Sequence, residues 1–409
     1  MASNTPTRTA GLAQLETFIP KVGRAYANGR NYDLGAAQHT HVSTLSPYIR
    51  HRLITEPEVV TAALQAHGWP ATEKFVQEVF WRGYFKGWLE QRPGVWAEYR
   101  DGLMIDHDQL DQDRSLHGTH QRAQNGATGI ACFDHWVTEL CETGYLHNHA
   151  RMWFASIWIF TLGLPWRLGA DFFYRHLIDG DAASNTLSWR WIAGLHTRGK
   201  AYQAEAWNIK KFTNGRFNPP DHQLANPITP LDAPLPDPHG LPDVIAPQFN
   251  LPSGLLITAE DCDPMSCLPD GLDLRRSLCI LSAPLRSAQP TSDRVCAFEN
   301  GALQDAAARI GLQHDTINAG QAAELAYWAE RHGIKQIITP YIPQGPLRDW
   351  VNKAQPMLQA KGITIAQIIR PWDSAIWPHA TAGFFKVKKK IPAILQTLGI
   401  DFKLREIQN

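Results

Sequence analysis

Residues 177–194 read LIDGDAASNTLSWRWIAG, and this stretch decides the interpretation of the 409-residue chain. Two carboxylates stand directly before a segment that contains two tryptophans. Upstream, residues 143–152 read TGYLHNHARM, in which Arg151 precedes a long apolar, helix-like run. Because a buried charge without a partner is very costly, we expect Asp179 to pair with Arg151.

A third segment, residues 75–84, reads FVQEVFWRGY. Glu78, Trp81 and Arg82 stand at i, i+3 and i+4, so they share one face of the predicted helix. A carboxylate, an indole and a guanidinium together fit the wall of a pocket. A surface ion pair remains the simpler alternative at this point.

The fourth segment, residues 41–49, reads HVSTLSPYI. The hydroxyls of Ser43 and Ser46 stand where Pro47 can start a helix. Hydroxyls and free backbone amides at a helix N-terminus suit a diphosphate. An ordinary helix cap is the simpler alternative for these residues at this point.

Taken together and in this order, the four segments resemble the FAD-binding domain of the DNA photolyase/cryptochrome family. The patterns of that family read approximately TSxLSPYL, ExxWRxY, TGxxHNRxRM and LxDxDxxxNxxxWQWxAG. The resemblance covers roughly residues 12–220. It implies an all-α FAD-binding domain of the photolyase type, and helical spacing does dominate this part of the sequence.

The resemblance also implies a role for individual residues. The residues that it places at the FAD are Tyr26, Ser43, Leu45, Ser46, Arg82, Arg151, Asp179, Asp181 and, facing flavin N5, Asn185. The first two positions of an electron-transfer chain fall on Trp189 and Trp166. The positions that line the pocket for a DNA lesion fall on Glu78, Trp81, Asn148, Met152 and Trp191.

This chain departs from the family pattern at several positions. Val42 replaces the first Thr of the phosphate segment, Arg52 stands where Gly is usual, and Arg190 replaces a Gln. His149 replaces an Arg that would approach the backbone of the lesion, which predicts a lower affinity for DNA.

The outermost tryptophan of the family's electron-transfer chain has no counterpart, since its position falls near Asp113. Electron transfer therefore needs a different exit, for which Trp153 and Trp158 are candidates. Ordinary core packing is the alternative role of these two side chains.

A proline-rich stretch, residues 216–253, divides the sequence, because proline blocks helices and favours an extended connector. We predict a helical FAD-binding domain over residues 1–215. Residues 254–409 alternate short apolar runs with helical segments, which predicts an α/β, Rossmann-like domain with a parallel sheet. Residues 294–298 are interpreted as one of its strand-like runs.

In the family that the sequence resembles, the α/β antenna domain comes first, so the order here suggests a circular permutation. Neither a dinucleotide motif nor a phosphate loop is present in the sequence. Whether an antenna chromophore binds as a second cofactor is unknown from the sequence.

Composition limits the remaining possibilities. A hydrophobic content of 44% and a charged content of 19% exclude a wholly disordered chain. The formal net charge is zero, which argues against a strongly basic nucleic-acid binder but leaves room for a local basic patch. The run Lys386, Lys388, Lys389 and Lys390 is either a solvated helix face or a DNA contact.

The six cysteines show no paired ligand spacing, so we predict reduced thiols and a cytoplasmic protein. No signal peptide and no segment able to span a membrane is recognised. His147 and His149 lack a ligand set, so no metal site is predicted.

The leading hypothesis is light-driven, FAD-dependent repair of cyclobutane pyrimidine dimers in UV-damaged DNA, by electron transfer from reduced flavin. The alternative is a cryptochrome-like blue-light photoreceptor that signals through a partner protein. A flavin oxidoreductase active in the dark is a third, weaker hypothesis, because no nicotinamide motif is present.

Overall fold

The computed structural model describes residues 5–36 and 38–402. As predicted, a helical part comes first and a part with a parallel sheet follows. The helices before the sheet are α1 (Arg8–Phe18), α2 (Arg24–Gly29), α3 (Ser46–Arg50), α4 (Glu56–Glu90), α5 (Pro93–Gln112), α6 (Arg114–Gln124), α7 (Ala131–Thr143), α8 (Asn148–Ser156), α9 (Trp166–His176), α10 (Ala182–Ala193) and α11 (Ala206–Phe212).

Helix α4 forms one wall of the site described below. Its start is fixed by a capping box in which the backbone N–H of Thr55 donates to Glu58 Oε2 at 2.8 Å. Gly68, at φ 68° and ψ 169°, interrupts the helical backbone two residues before Pro70. The part of α4 after Pro70 therefore runs as a helix of its own and carries the third segment of the sequence analysis.

The sheet contains five strands that are parallel throughout and follow the order β3-β2-β1-β4-β5. The strands are β1 (Ser253–Ile257), β2 (Leu274–Leu281), β3 (His314–Asn318), β4 (Gln336–Pro340) and β5 (Thr364–Ile368). The helices α12 (Asp293–Ile310), α13 (Ala323–Arg331) and α14 (Pro346–Ala360) connect them. This is a doubly wound arrangement, which confirms the predicted fold class.

Two details of the sheet were predicted wrongly. Residues 294–298, interpreted as strand-like, lie inside α12, because Val295, Phe298 and Ala302 repeat at helical spacing and are buried on one face. The edge strand β3 was not predicted, since its five residues are mostly polar and none of them is fully buried.

The carboxyl ends of β1 and β4 face the helical part. Just beyond β1, Glu260 Oε1 accepts a hydrogen bond of 2.6 Å from Nη2 of Arg50. Just beyond β4, the Tyr341 hydroxyl donates to Glu90 Oε2 at 2.6 Å, and the backbone N–H of Gln344 donates to Glu90 Oε1 at 2.7 Å. Ligands of parallel sheets commonly bind at these strand ends, but here polar contacts between the two parts of the chain occupy them.

After β5 the chain returns to the helical part. It forms α15 (Pro371–Ile376), α16 (Phe385–Lys388) and α17 (Ile391–Thr397), and both α15 and α16 pack against α4. An added Cβ at Gly87 of α4 would lie 2.6 Å from Trp377 Cδ1, so glycine permits this close approach.

One hydrophobic core includes buried residues of the helical part and of the segment after the sheet, such as Phe80 and Ile391. The division into residues 1–215, 216–253 and 254–409 stays a prediction. The structure adds that the residues after β5 pack against α4 and share the core of the helical part.

The six cysteines are free thiols, in agreement with the sequence analysis. Among the described residues, none of the helices combines the length and the apolar surface needed to cross a bilayer.

Candidate flavin and substrate cavity

A cavity of about 590 Å³ opens in the helical part, between α4, α8, α10 and the loop before α3. Most of the side chains that the sequence analysis singled out form the lining of this cavity. They are Tyr26, Ser43, Ser46, Glu78, Trp81, Arg82, Asn148, Arg151, Met152, Asp179, Asp181, Asn185, Trp189 and Trp191. Burial divides them, since Asp179, Asp181 and Trp189 are buried, whereas Asn148 and Trp191 are exposed.

Glu78, Trp81 and Arg82 all line the cavity from α4, which agrees with the pocket-wall interpretation of their spacing. Glu78 also has a partner that the sequence analysis missed, because Arg30 Nη1 donates to Glu78 Oε1 at 2.7 Å. Burial raises the pKa of Glu78, although Arg30 acts against the shift.

Two carboxylates each hold an arginine at the cavity. Arg151 Nη2 lies 2.9 Å from Asp179 Oδ2, so the predicted ion pair is present. Arg82 Nη1 lies 2.6 Å from Asp181 Oδ2. Burial by itself would raise the pKa of both carboxyls, but the facing arginine lowers it in each case, so both carboxylates stay charged.

Asp181 has a second task, because its Oδ1 accepts the backbone N–H of Ser184 at 2.8 Å and caps α10. The cap sets where α10 begins and thereby which side chains of α10 reach the cavity. Asn185 reaches it one turn later and is fixed by a 2.7 Å hydrogen bond from its Nδ2 to the carbonyl of Ala170. Its Oδ1 remains available to accept a hydrogen bond from a bound group.

The loop before α3 presents hydroxyls to the cavity. Thr44 has φ 51°, a left-handed conformation that is unfavourable for a β-branched residue. Gln14 Nε2 holds the loop by donating to the Ser43 carbonyl at 2.9 Å and to Thr44 Oγ1 at 3.0 Å. Leu45, which the resemblance places at the FAD, has a fully buried side chain that does not line the cavity, and its contact with the cofactor stays a prediction. Its apolar side chain packs in the core below the loop.

The tryptophans divide between the cavity and the core. Trp189 lines the cavity, whereas Trp166, the predicted second member of an electron-transfer chain, lies outside its lining. The ring centroid of Trp158 is 6.3 Å from that of Trp189, and Trp158 is fully buried. The ring centroid of Tyr99 lies 5.8 Å from that of Trp166 and 5.3 Å from that of Trp96.

Trp81 has an unexpected neighbour from the segment after the sheet. The ring of Phe384 stacks on it with centroids 3.9 Å apart and planes inclined by 15°. Phe384 does not line the cavity, so the cavity meets Trp81 at a different face or edge. Nothing in the local sequence around Phe384 signals this contact, because the two rings lie 303 positions apart in the chain.

His149 points inward from the mouth of the cavity. Its ring stacks on Trp153 with centroids 4.1 Å apart, and its Nδ1 lies 2.9 Å from the carbonyl oxygen of Asn31. The Tyr202 hydroxyl lies 3.4 Å from its Nε2. These contacts hold the imidazole against the protein.

Beside the cavity, Asp33, His39 and Glu139 bring potential metal-ligand atoms within 4.8 Å of one another. The carboxylates already have partners in the protein, since Arg216 and Trp136 donate to Asp33 Oδ2 and His39 Nε2 lies 3.2 Å from Glu139 Oε1. Neither His147 nor His149 belongs to this cluster.

The donor set of the cavity fits FAD. Its volume lies within the range of about 300 to 1,000 Å³ that is usual for cofactor sites. The hydroxyl loop and Arg82 supply donors for a diphosphate, whereas Asn185 and the Arg151–Asp179 pair supply polar groups for a heteroaromatic ring system.

Residues 75–219 match the family model of the FAD binding domain of DNA photolyase. This helical part of the chain carries the FAD-binding domain of the DNA photolyase/cryptochrome family. Over 157 residues the chain is 35% identical to the deoxyribodipyrimidine photo-lyase of Streptomyces griseus. This match covers 38% of this chain and 32% of the relative.

Two further relatives extend the match. The deoxyribodipyrimidine photo-lyase of a Synechococcus strain is 28% identical over 246 residues, 55% of this chain and 49% of the relative. The cryptochrome DASH of Natronomonas pharaonis is 32% identical over 195 residues, 46% of this chain and 39% of the relative. The chain therefore spans between about a third and a half of the length of these curated relatives.

A solved structure of a bacterial class III photolyase from Agrobacterium tumefaciens is also similar. It shares 26% sequence identity with a TM-score of 0.43, and the match covers 51% of this chain and 43% of that one.

Proposed function

We propose that this photolyase-family chain binds FAD in the cavity and repairs cyclobutane pyrimidine dimers in DNA under light. The observation that carries the proposal is the common cavity. Asn185 and the two carboxylate–arginine pairs line its interior, and the five residues expected to hold the lesion line the same cavity.

The residues toward the mouth of the cavity have the chemistry that a flipped pyrimidine pair requires. Trp81 and Trp191 offer aromatic surfaces for stacking, and the ring of Trp191 is backed by Tyr202 at a centroid distance of 5.8 Å. Asn148 is exposed and offers an amide for the pyrimidine edges.

Glu78 adds a hydrogen-bonding group whose protonation matters. Burial raises the pKa of this carboxyl, and Arg30, which donates to its Oε1, acts against the shift. A protonated carboxyl donates a hydrogen bond to a pyrimidine carbonyl, which a carboxylate cannot do.

Inside the cavity, the protein residues position the cofactor and balance its charge. When bound and reduced, FAD would act as a light-driven one-electron donor to the dimer. This chemistry belongs to the cofactor. Arg82 and Arg151 carry positive charge toward the diphosphate and ring system, while Asp179 and Asp181 hold both side chains in place. We assign Trp189 and Trp166 to the electron transfer that reduces the flavin.

The test is direct. The absorption spectrum of the purified protein reports bound FAD, and blue light with a reductant and a dimer-containing oligonucleotide reports repair as loss of dimers. We expect Trp191→Ala to lower repair strongly, while Trp207→Ala, a control at an exposed tryptophan outside the cavity, leaves it unchanged. A colourless protein, or a yellow one that leaves the dimers intact, contradicts the proposal.

The inward position of His149 favours a second candidate function. The family's arginine at this position would reach the DNA backbone, whereas this imidazole is held by Asn31 and Trp153. A blue-light photoreceptor that signals through a partner needs no such contact. A flavin that responds to light in a protein without affinity for damaged DNA favours this alternative.

A further inference from the structure

The segment that follows the sheet brings an aromatic and basic surface to the outer side of the cavity wall. Phe384 anchors this segment, because it is 7% exposed and stacks on Trp81. Since Trp81 lines the cavity, the residues next to Phe384 lie close to the cavity wall. The segment lies outside residues 75–219, so the family match does not account for it.

Phe385, the next residue, is 75% exposed, the largest fraction among the exposed large apolar side chains of the described residues. Exposure of a whole phenyl ring is unfavourable in water unless something covers it. Lys386, Lys389 and Lys390 are exposed around it. We call Phe385 and these three lysines the lysine strip.

The charges of the lysine strip have few partners. Within residues 5–36 and 38–402, no carboxylate oxygen lies within 4 Å of the ammonium groups of Lys386, Lys389 or Lys390. The neighbouring Lys388 reaches Glu73 of α4 at 4.0 Å. Lys74, also exposed, adds a positive charge on α4 that acts on Glu78 at the cavity wall.

This local excess of positive charge stands out because the chain as a whole has a formal net charge of zero. Lysines that neutralise phosphates release counterions, which supplies most of the affinity for a nucleic-acid backbone. An exposed aromatic ring among such lysines offers a stacking surface for a base, as in proteins that bind single strands. A strand with a flipped lesion contains both a phosphate track and unstacked bases.

We propose that the lysine strip is a DNA-contact surface, which binds the strand beside the lesion while Phe384 holds Trp81 in position for the lesion itself. The lysines contact phosphates, and Phe385 packs on a base or sugar that flanks the flipped pair. This inference rests on the proposed function, since it takes DNA as the substrate. It also offers a source of backbone contacts in place of the inward-facing His149.

The experiment measures equilibrium binding of the full chain to a fluorescent DNA duplex, with and without a pyrimidine dimer, over a series of salt concentrations. The variant K386Q/K389Q/K390Q removes the three charges. Its matched control, R331Q/K335Q/K353Q, removes three charges from the exposed surface of the sheet-containing part.

We expect the strip variant to lower DNA affinity about tenfold or more at 0.1 M salt. It should also reduce the slope of log K against log salt by about 2 to 3, because each phosphate contact contributes roughly 0.9. Phe385→Ala should lower the affinity about fivefold or more without a change in slope, since stacking involves no counterion. The control triple should leave the slope unchanged.

Equal affinities and slopes for the strip variant and the control triple overturn the proposal while the proposed function stands. A wild-type protein that binds no DNA at low salt overturns both. Binding of the wild type to anionic phosphatidylserine vesicles but not to DNA likewise overturns the proposal, because it assigns the strip to a membrane surface.

Discussion

Arg52 provides a sharp test of which physical term dominates at the contact between the two parts of the chain. It stands where the resembled family usually has glycine, and its backbone has φ 49°. Its side chain is 4% exposed and lies 2.7 Å from Asp373, 3.3 Å from Glu56 and 3.4 Å from Asp261. Asp373 lies in α15, Glu56 in α4 and Asp261 in the loop after β1. One guanidinium therefore joins three segments of the chain.

The substitution Arg52→Gly sets two opposing effects against each other. Glycine relieves a left-handed backbone that costs an arginine about 1 kcal/mol, but its freedom in the unfolded chain costs about 0.5 to 1 kcal/mol. These two effects nearly cancel. Loss of one partner of a buried ion pair costs about 3 to 5 kcal/mol, so the variant should be less stable by about that amount.

The expected change in melting temperature follows from the length of the chain. An unfolding entropy of about 2.1 cal/mol/K per residue over 409 residues gives about 0.9 kcal/mol/K. A loss of about 3 to 5 kcal/mol therefore lowers the melting temperature by about 4 to 6 °C.

The loss should depend on pH. Burial raises the pKa of Asp373, against the effect of Arg52, and removal of Arg52 raises it further. A carboxyl with a raised folded pKa binds protons more readily in the folded state, so its penalty grows as pH rises above its unfolded pKa of about 4. The difference between variant and wild type should be larger at pH 8 than at pH 5.

The assay is thermal or urea unfolding at both pH values, with Asn214→Gly as control. Asn214 also has a positive φ, of 52°, and is exposed, so its replacement changes backbone freedom without removing a buried ion pair. We expect the control to stay within about 0.5 kcal/mol of wild type. If Arg52→Gly melts at or above the wild-type temperature, backbone strain outweighs the ion pairs and the reasoning is wrong.

Three further outcomes are expected. Phe384→Ala should lower the free energy of unfolding, measured by urea titration, by about 3 kcal/mol, because it empties a buried, stacked site. Phe385→Ala, at the exposed neighbouring residue, should change the free energy of unfolding by less than about 0.5 kcal/mol. Asp181→Asn should flatten the dependence of stability on pH between about pH 5 and pH 2. Because the pKa of Asp181 is lowered in the folded state, its carboxylate stabilises the protein above its unfolded pKa, and this stabilisation is lost as the pH falls. Identical acid titrations of variant and wild type would argue against this. Trp166→Phe should slow the light-driven reduction of bound FAD, measured as bleaching of the flavin absorption. The control Trp328→Phe, in the sheet-containing part, should not slow it. Equal bleaching rates for the two variants would remove Trp166 from the electron path.

Local patterns predicted much of the helical part because the relevant partners lie close in sequence or share one helix face. The spacing of Glu78, Trp81 and Arg82 puts them on one side of α4 whatever the rest of the chain does. The pairing of Arg151 with Asp179 follows from the cost of an unpaired buried charge. A motif match does not show which of its side chains turns into the core, as that of Leu45 does.

The sheet was predicted less completely, for a related reason. Strands with buried faces, such as β4 with five buried residues, appear as apolar runs. The polar edge strand β3 gives no such signal, and the start of α12 resembles a strand over five residues until its helical period becomes visible.

The sequence by itself determined the fold class, the FAD-type motif residues and the order of the two parts, because these depend on local periodicity and on short patterns. Only the tertiary structure decided that the strand ends β1 and β4 face the helical part, that Arg30 pairs with Glu78, and that Phe384 stacks on Trp81. Such contacts join residues far apart in the chain. They depend on how whole elements pack against each other, and no local pattern carries that information.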